Sequence, residues 1–345
     1  MPISLLLKVL MIDLWQWSAK VNEIKLRANL VKIENIQHST VNLPVVIPPV
    51  LTTLATSLCE YYGLAQRSGR VDTCLAGIKL FRIDGYRKYS PQMYEQGIVI
   101  ILQGQKIGHL NQHQFNYDPH RCLLVTTPYP IVCETFASYE QPLMGINIDF
   151  DITVIGQLVA MIEAQQHSRF DYEGSCGVAT AQMTERMYRS VEQLLEVLHD
   201  PLDAQVLGPS LIRQLFYYLL HSDQGYLLAQ YCEQDSVLAK ISAVIDYVQQ
   251  HYATKLHVHE LAAMAGMSVS VFHKVFKQVV TDPPLQYIKK IRLNNAKTLM
   301  LQQGMAANVA AGQVGYESPT QFSREFKRYF GLPPSKVHEQ TGFIR

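Results

Sequence analysis

Two ten-residue segments in the last third of the chain carry the same chemistry at the same spacing. They read SVSVFHKVFK, Ser268 to Lys277, and SPTQFSREFK, Ser318 to Lys327. At the roughly 100° step of an α-helix, aromatic rings fall on one side of each segment and hydrogen-bonding or cationic groups on the other. In the second copy Phe322 and Phe326 share a face, with Tyr329 and Phe330 near its end, opposite Thr320, Ser323, Arg324 and Lys327. In the first, Phe272 and Phe276 take the inner positions, and Ser270, His273, Lys274 and Lys277 the outer ones. Serine, threonine, glutamine and histidine are groups that exchange hydrogen bonds with base edges, while lysine and arginine hold phosphates or guanine.

The elements that would position these groups are explicitly punctuated. Ser318 suits an N-cap, Pro319 the first helical position, and Gln321 completes a Ser-x-x-Gln capping box. Gly331 fits the C′ position, and Pro333-Pro334 forbid continuation. Ser268 is the matching cap upstream. Each copy follows a helix of small residues and a glycine turn: HELAAMAGMS, turning at Gly266, and NVAAGQVGYES, turning at Gly315. This is helix-turn-helix grammar in duplicate. A lone copy fits a structural helical hairpin equally well; two copies with matching caps, anchors and outer charges do not. Between them PLQYIKKIRLNNAKTLM, Pro284 to Met300, predicts a rod of about 25–30 Å at ~1.5 Å per residue. One turn of B-DNA is about 34 Å, so the rod would set both reading helices in successive major grooves. Double-stranded DNA is the expected partner, with Ser268, Ser270, His273, Lys274, Lys277, Ser318, Thr320, Gln321, Ser323, Arg324 and Lys327 as the contact set.

Residues from about 236 to 340 resemble the DNA-binding domain of the AraC/XylS family of bacterial transcription regulators. The likeness rests on Pro284, Tyr287, Arg292, Ala296 and Leu299, then on VGYESPTQFSREFKRYFG and the two prolines after it. The resemblance implies that Ser270, His273 and Lys274, and Thr320, Gln321, Ser323 and Arg324, face bases or phosphates. Ser270 and Val271 are smaller than is usual there, which implies fewer direct base contacts by the first helix.

At 345 residues and 48% hydrophobic, the chain is long enough for two domains, each with a core. Its net charge of +1 hides an asymmetry: residues 236–345 carry 13 Lys and Arg against 6 Asp and Glu, and the rest carries 17 against 23. The basic third is the one that holds the repeated unit, as phosphate contact requires. The six cysteines are scattered without a Cys-x-x-Cys pair, which disfavours zinc ribbons and disulfide frameworks and suits a reducing cytoplasm. The opening MPISLLLKVLMIDLWQW is interrupted by Lys8 and Asp13, too short and too broken to span a bilayer. Residues 1–50 read as an extension, an appended helix or a start misplaced ahead of Met11, with no membrane role.

From Cys59 to about Asp151 short β-prone runs (GIKLFRI, GIVIILQGQKIGHL, HQFNYD, RCLLVT, PLMGINIDF) predict antiparallel strands of a small barrel or jelly roll. MYEQGIVIILQGQK and FNYDPHRCLLVTTPYPI resemble the AraC-type N-terminal family, which implies a cupin-like sensor barrel; Gln96 and Gln105 depart from its usual proline and arginine. A barrel interior suits a small organic effector, with Arg82, Tyr94, Gln103, Lys106, Tyr117 and Tyr129 as candidate polar contacts. A cupin enzyme would need clustered histidines and a carboxylate. His109 and His113 flank a hairpin turn without a nearby Glu, and HVHE at His257–Glu260 opens a helix, so no metal or other cofactor is expected. P-loop, dinucleotide and HExxH signatures are absent from the sequence.

Two amphipathic helices follow: one striped by Met183, Met187, Val191, Leu194 and Leu198, the other by Leu211, Leu215, Phe216 and Leu219 after Pro209. The stripes fit packing on their own domain or self-association, and the resemblance implies homodimers formed through this half. The expected fold is α+β: a cupin-like barrel with two flanking helices over residues 51–222, a linker at 223–235, and an all-α domain with two helix-turn-helix units over 236–345. The expected function is non-enzymatic, a cytoplasmic DNA-binding transcription regulator under effector control, with RNA polymerase as a further candidate partner. The alternative is a metal-dependent cupin enzyme with a DNA-binding tail, which stoichiometric iron, manganese or zinc would favour.

Overall fold

The structure, a computed structural model, describes residues 47–110, 113–166, 176–233 and 236–340. The extension with Lys8, Met11 and Asp13 lies outside the described residues. Pro48 and Pro49 open helix α1 (Pro49–Tyr61), which buries Leu51, Ala55, Leu58 and Cys59. Nine strands follow: β1 (Gly69–Asp72), β2 (Ile78–Ile83), β3 (Arg87–Tyr94), β4 (Gly97–Gln103), β5 (Gln105–Leu110), β6 (His113–Tyr117), β7 (Arg121–Val125), β8 (Tyr129–Phe136) and β9 (Leu143–Asp149). Helix α2 (Ile152–Gln166) precedes a tenth, β10 (Val178–Gln182).

All ladders are antiparallel, in a six-stranded sheet of order β1-β2-β9-β4-β7-β10 and a four-stranded sheet of order β3-β8-β5-β6. No ladder joins the described strands of one sheet to the other, so the expected closed barrel is corrected to two separate sheets. The run GIVIILQGQKIGHL is two strands, not one. Gly104, at φ +86°, turns the chain from β4 in the larger sheet to β5 in the smaller, and a Cβ there would stand 3.1 Å from the Leu143 Cα. That turn needs glycine. Strand β3, RKYSPQMY, carries Pro91, which its place at a sheet edge permits.

Among the described residues five helices accompany the sheets rather than two. Helix α3 (Glu185–Val197) buries Met187, Val191 and Leu194. Helix α4 (Pro201–Leu220) starts at Pro201, eight residues before the expected Pro209, because the Asp200 carboxylate caps the backbone N–H groups of Leu202 and Asp203. Both predicted stripes pack within the domain. The supposed linker is also corrected: helix α5 (Gly225–Cys232) lies within it, with Leu227, Leu228, Ala229 and Tyr231 buried. Its apolar GYLLAQYC sequence carries too much hydrophobic surface to stay in water.

The remaining helices are α6 (Val237–His251), α7 (Val258–Met264), α8 (Val269–Val280), α9 (Pro284–Gln303), α10 (Ala307–Gln313) and α11 (Pro319–Phe330), then a 3₁₀ turn, Pro334–Gln340. Helices α7–α8 and α10–α11 are the two predicted helix-turn-helix units, and α9, at 20 residues, is the rod between them. The cores are unequal. Buried residues of α6–α9 join those of both sheets in one continuous cluster, whereas the second unit packs around a separate cluster of its own, centred on Phe322, Phe326 and Phe330.

Candidate nucleic-acid interface and ligand cavity

Each reading helix is built as its sequence dictates. Ser268 Oγ accepts from the Val271 N–H, and Ser318 Oγ from the Gln321 N–H at 3.3 Å. The second capping box is only half closed, because Gln321 Nε2 donates to Glu325 Oε1 at 3.3 Å. Gly331, at φ +79°, ends α11 in the left-handed conformation. Phe272, Phe276 and Val279 are buried in the first unit; Phe322, Phe326 and Phe330 in the second. Ser268, Ser270, His273, Lys274 and Lys277 are exposed, as are Thr320, Gln321, Ser323, Arg324 and Lys327; Ser318 is half-buried. The sequence-predicted contact residues are thereby gathered on two open faces.

Glu325 faces inward from α11. Burial alone would raise its pKa, but hydrogen bonds from Tyr316, Lys289 and Gln321 outweigh burial and hold it below the usual carboxylate range.

A cavity of ≈ 700 Å³ opens between the sheets and α9. Phe81, Ile83, Met93, Val99 and Leu301 supply apolar wall, while Arg70, Arg87, Lys88, Lys106 and Lys297 supply charge; among the described residues no aspartate or glutamate lines it. Arg70 is paired with Glu95 at 2.6 Å. Lys106, 4% exposed, donates to Gln92 Oε1 at 2.6 Å and to Tyr94 Oη at 2.7 Å, and lies over the Tyr94 and Tyr117 rings. Tyr94 and Tyr117 hydrogen-bond each other, and both meet Cys133 Sγ at 3.4 Å. Burial lowers the pKa of Lys106 and of Lys297, and raises those of the two tyrosines. Among the described residues neither lysine pairs with a carboxylate.

Of the six effector candidates, the structure brings together Tyr94, Lys106 and Tyr117. Arg82 alternates away from Phe81 and Ile83, which line the cavity, and pairs with Asp84 at 3.0 Å. Gln103 Nε2 donates to the Pro142 carbonyl at 2.8 Å. Tyr129 lies at the seam with the first helix-turn-helix: its hydroxyl donates to Asp282 and accepts from Thr281 at 3.1 Å, and its ring stacks on Tyr287. The Tyr287 hydroxyl in turn donates to the Pro128 carbonyl at 2.9 Å. Sequence reasoning missed Asn294, Lys297, Thr298 and Leu301, cavity residues of α9. Their i, i+3, i+4, i+7 spacing was a signal that they share a face.

Among the described residues no three His, Cys, Asp or Glu gather as metal ligands, and no helix is long and apolar enough to cross a membrane. His113 opens β6, and its side chain lies outside the described residues.

Duplicated helix-turn-helix units on a shared rod, behind a two-sheet domain, define a protein with the architecture of a two-domain regulator. A profile of the AraC-type transcriptional regulator N-terminus matches residues 74–227, and one of a helix-turn-helix domain matches residues 261–340. The chain belongs to the AraC/XylS family of transcriptional regulators. It is 30% identical over 161 residues to the raffinose operon transcriptional regulatory protein RafR of Pediococcus pentosaceus, covering 45% of this chain and 56% of RafR. It is 25% identical over 149 residues to the lactose operon transcription activator of Staphylococcus xylosus, covering 43% and 53%. The chain thus spans about half the length of these curated relatives. A structure of wild-type ToxT from Vibrio cholerae with bound unsaturated fatty acid superposes at TM-score 0.51 with 12% identity, over 78% of this chain and 96% of that one, a likeness of fold.

Proposed function

We propose that this protein regulates transcription by binding double-stranded DNA through both helix-turn-helix units, under the control of an organic acid held between its sheets and α9. The observation that carries the DNA reading is the pair of capped helices, each with a buried aromatic face and an exposed hydrogen-bonding and cationic face. At ~1.5 Å per residue the 20-residue α9 is about 30 Å long, close to the roughly 34 Å repeat of B-DNA. Ser, Thr, Gln and His then address base edges, and Lys274, Lys277, Arg324 and Lys327 address phosphates or guanine. The cytoplasmic setting expected from the sequence belongs to this proposal. So does self-association, which the exposed Leu202, Val206 and Leu207 of α4 support.

The acid follows from the cavity. An apolar wall with several cations and, among the described residues, no carboxylate suits an anion that has an apolar body. As an ammonium Lys106 has three N–H groups, of which two are already donated to neutral acceptors. The wall is shared by the sheets and one face of α9, so a ligand there touches the rod that carries both reading helices. It couples to DNA binding only through a difference in affinity between two arrangements.

A thermal-shift screen of carboxylic acids and their matched amides against the full chain tests this, since a ligand at a hundredfold its Kd adds about 2.7 kcal/mol. Acids raise Tm, amides do not, and Lys106→Met removes the effect. Equal shifts by acids and amides would refute the acid.

A further inference from the structure

The two reading units are tied by more than the rod. Arg292 stands near the middle of α9, and its guanidinium donates to three backbone carbonyls: Nε to Tyr252 at 2.7 Å, Nη2 to Thr254 at 2.7 Å and Nη1 to Gly315 at 3.0 Å. Tyr252 and Thr254 belong to the loop that leads into the first unit; Gly315 is the turn of the second. The contact is tight. A Cβ on Gly315 would fall 2.4 Å from the Ala253 carbonyl oxygen, and Gly315 has φ +85°. The turn of one unit therefore sits directly on the loop of the other. The Tyr252 side chain packs against both hydrophobic clusters, so the same loop touches both cores.

A helix alone holds its ends at a fixed distance but lets the attached elements rotate and rock. A second attachment away from the helix axis removes that freedom. We infer that Arg292 is a positioning residue that fixes the two reading helices relative to one another, and so sets the half-site spacing that the protein accepts. The inference rests on the proposed reading of DNA by both units. Arg292 is half-buried and spends its fork on carbonyls of both units, an arrangement that a planar three-way donor can make and an ammonium cannot. Rigid linkage lets binding by one helix raise the effective concentration of the other at its half-site, and only at the matching spacing.

The experiment uses the full chain and duplexes that the wild-type protein enriches from a random pool. Affinity is measured for the enriched duplex, for a version with one half-site scrambled, and for versions with one or two base pairs inserted or deleted between the halves. Wild-type protein should bind the native spacing best. Arg292→Ala should lose about tenfold or more on the two-site duplex and less than about twofold on the scrambled one, with its spacing optimum flattened. Should Arg292→Ala fail to fold, Arg292→Lys and Arg292→Gln, which keep at most part of the fork, decide the matter by the same spacing profile. A sharp optimum in these variants overturns the inference, as does an equal proportional loss on both duplexes, the mark of a merely structural role. If the wild-type protein enriches no duplex, the DNA reading itself fails; if it enriches one but shows no spacing preference, only the clamp fails.

Discussion

Truncating Phe326 probes the division into unequal cores. Its ring is fully buried, with centroids 5.4 Å from Phe322 and 4.5 Å from Phe330. Burying a phenylalanine removes roughly 150–250 Å² from water, worth about 4–6 kcal/mol at ~25 cal/mol per Å² as an upper bound. Measured Phe→Ala costs are about 3–5 kcal/mol. The second unit's cluster holds 11 of the described buried residues and is separate from the one that joins the first unit to the sheets. A loss of that size is a large share of the roughly 5–15 kcal/mol that a domain commands. Phe326→Ala should therefore open α10 and α11 while leaving α8 and the strands protected. Hydrogen exchange read by mass spectrometry on wild type and variant checks this. Unchanged protection in α11 would mean that Phe326 does not face the core, and an equal loss in α8 would mean that the two cores are one.

Arg324→Ala should cost about 1–3 kcal/mol of specific binding if it reads a base, with thermal stability unchanged; an identical footprint on the enriched duplex removes it from the reading set. Lys327→Ala should weaken all duplexes alike and shrink the salt slope by about 0.9. Tyr129→Phe removes the hydroxyl that Asp282 and Thr281 share, leaves the buried Asp282 carboxylate with the Lys290 ammonium but without its phenol donor, and should cost roughly 1 kcal/mol, read as a lower midpoint in urea. Glu325 has a folded pKa below its ordinary 4.5, so the unfolded chain binds its proton first as pH falls. Its contribution to stability is present above about pH 4.5 and is lost as pH falls through the folded value; Glu325→Gln should flatten that acid limb of the stability curve.

The reading helices were legible because everything that defines them is local. Caps, aromatic spacing and glycine turns act within a few residues, and Ser268, Ser318, Gly266, Gly315 and Gly331 behave as their types require. The sheets were legible as strands but not as a partition, since the break at Gly104 shows only when β4 and β5 find different partners. Helix α5 was missed because Gln224 and Gly225 suggest a loop, whereas burial of Leu227 and Leu228 decides the outcome. The cavity was half legible. Tyr94 and Lys106 come from strands that a sheet brings together, with Tyr117 behind them as the hydrogen-bond partner of Tyr94, but Lys297 arrives on α9, far along the chain. No local pattern predicts that meeting. Tyr129, chosen for its polarity in a strand, faces the seam because Asp282 and Tyr287 approach it from the other domain.

In the proposed complex one chain grips duplex DNA with two equivalent helices about one helical repeat apart. Hydroxyl-radical footprinting of the full chain on a duplex enriched from a random pool tests it most directly. Two protected patches on one face of the duplex are expected, about 10–10.5 base pairs apart, with affinity falling steeply as salt rises. A single patch, or no enrichment of any duplex over random competitor, would contradict it.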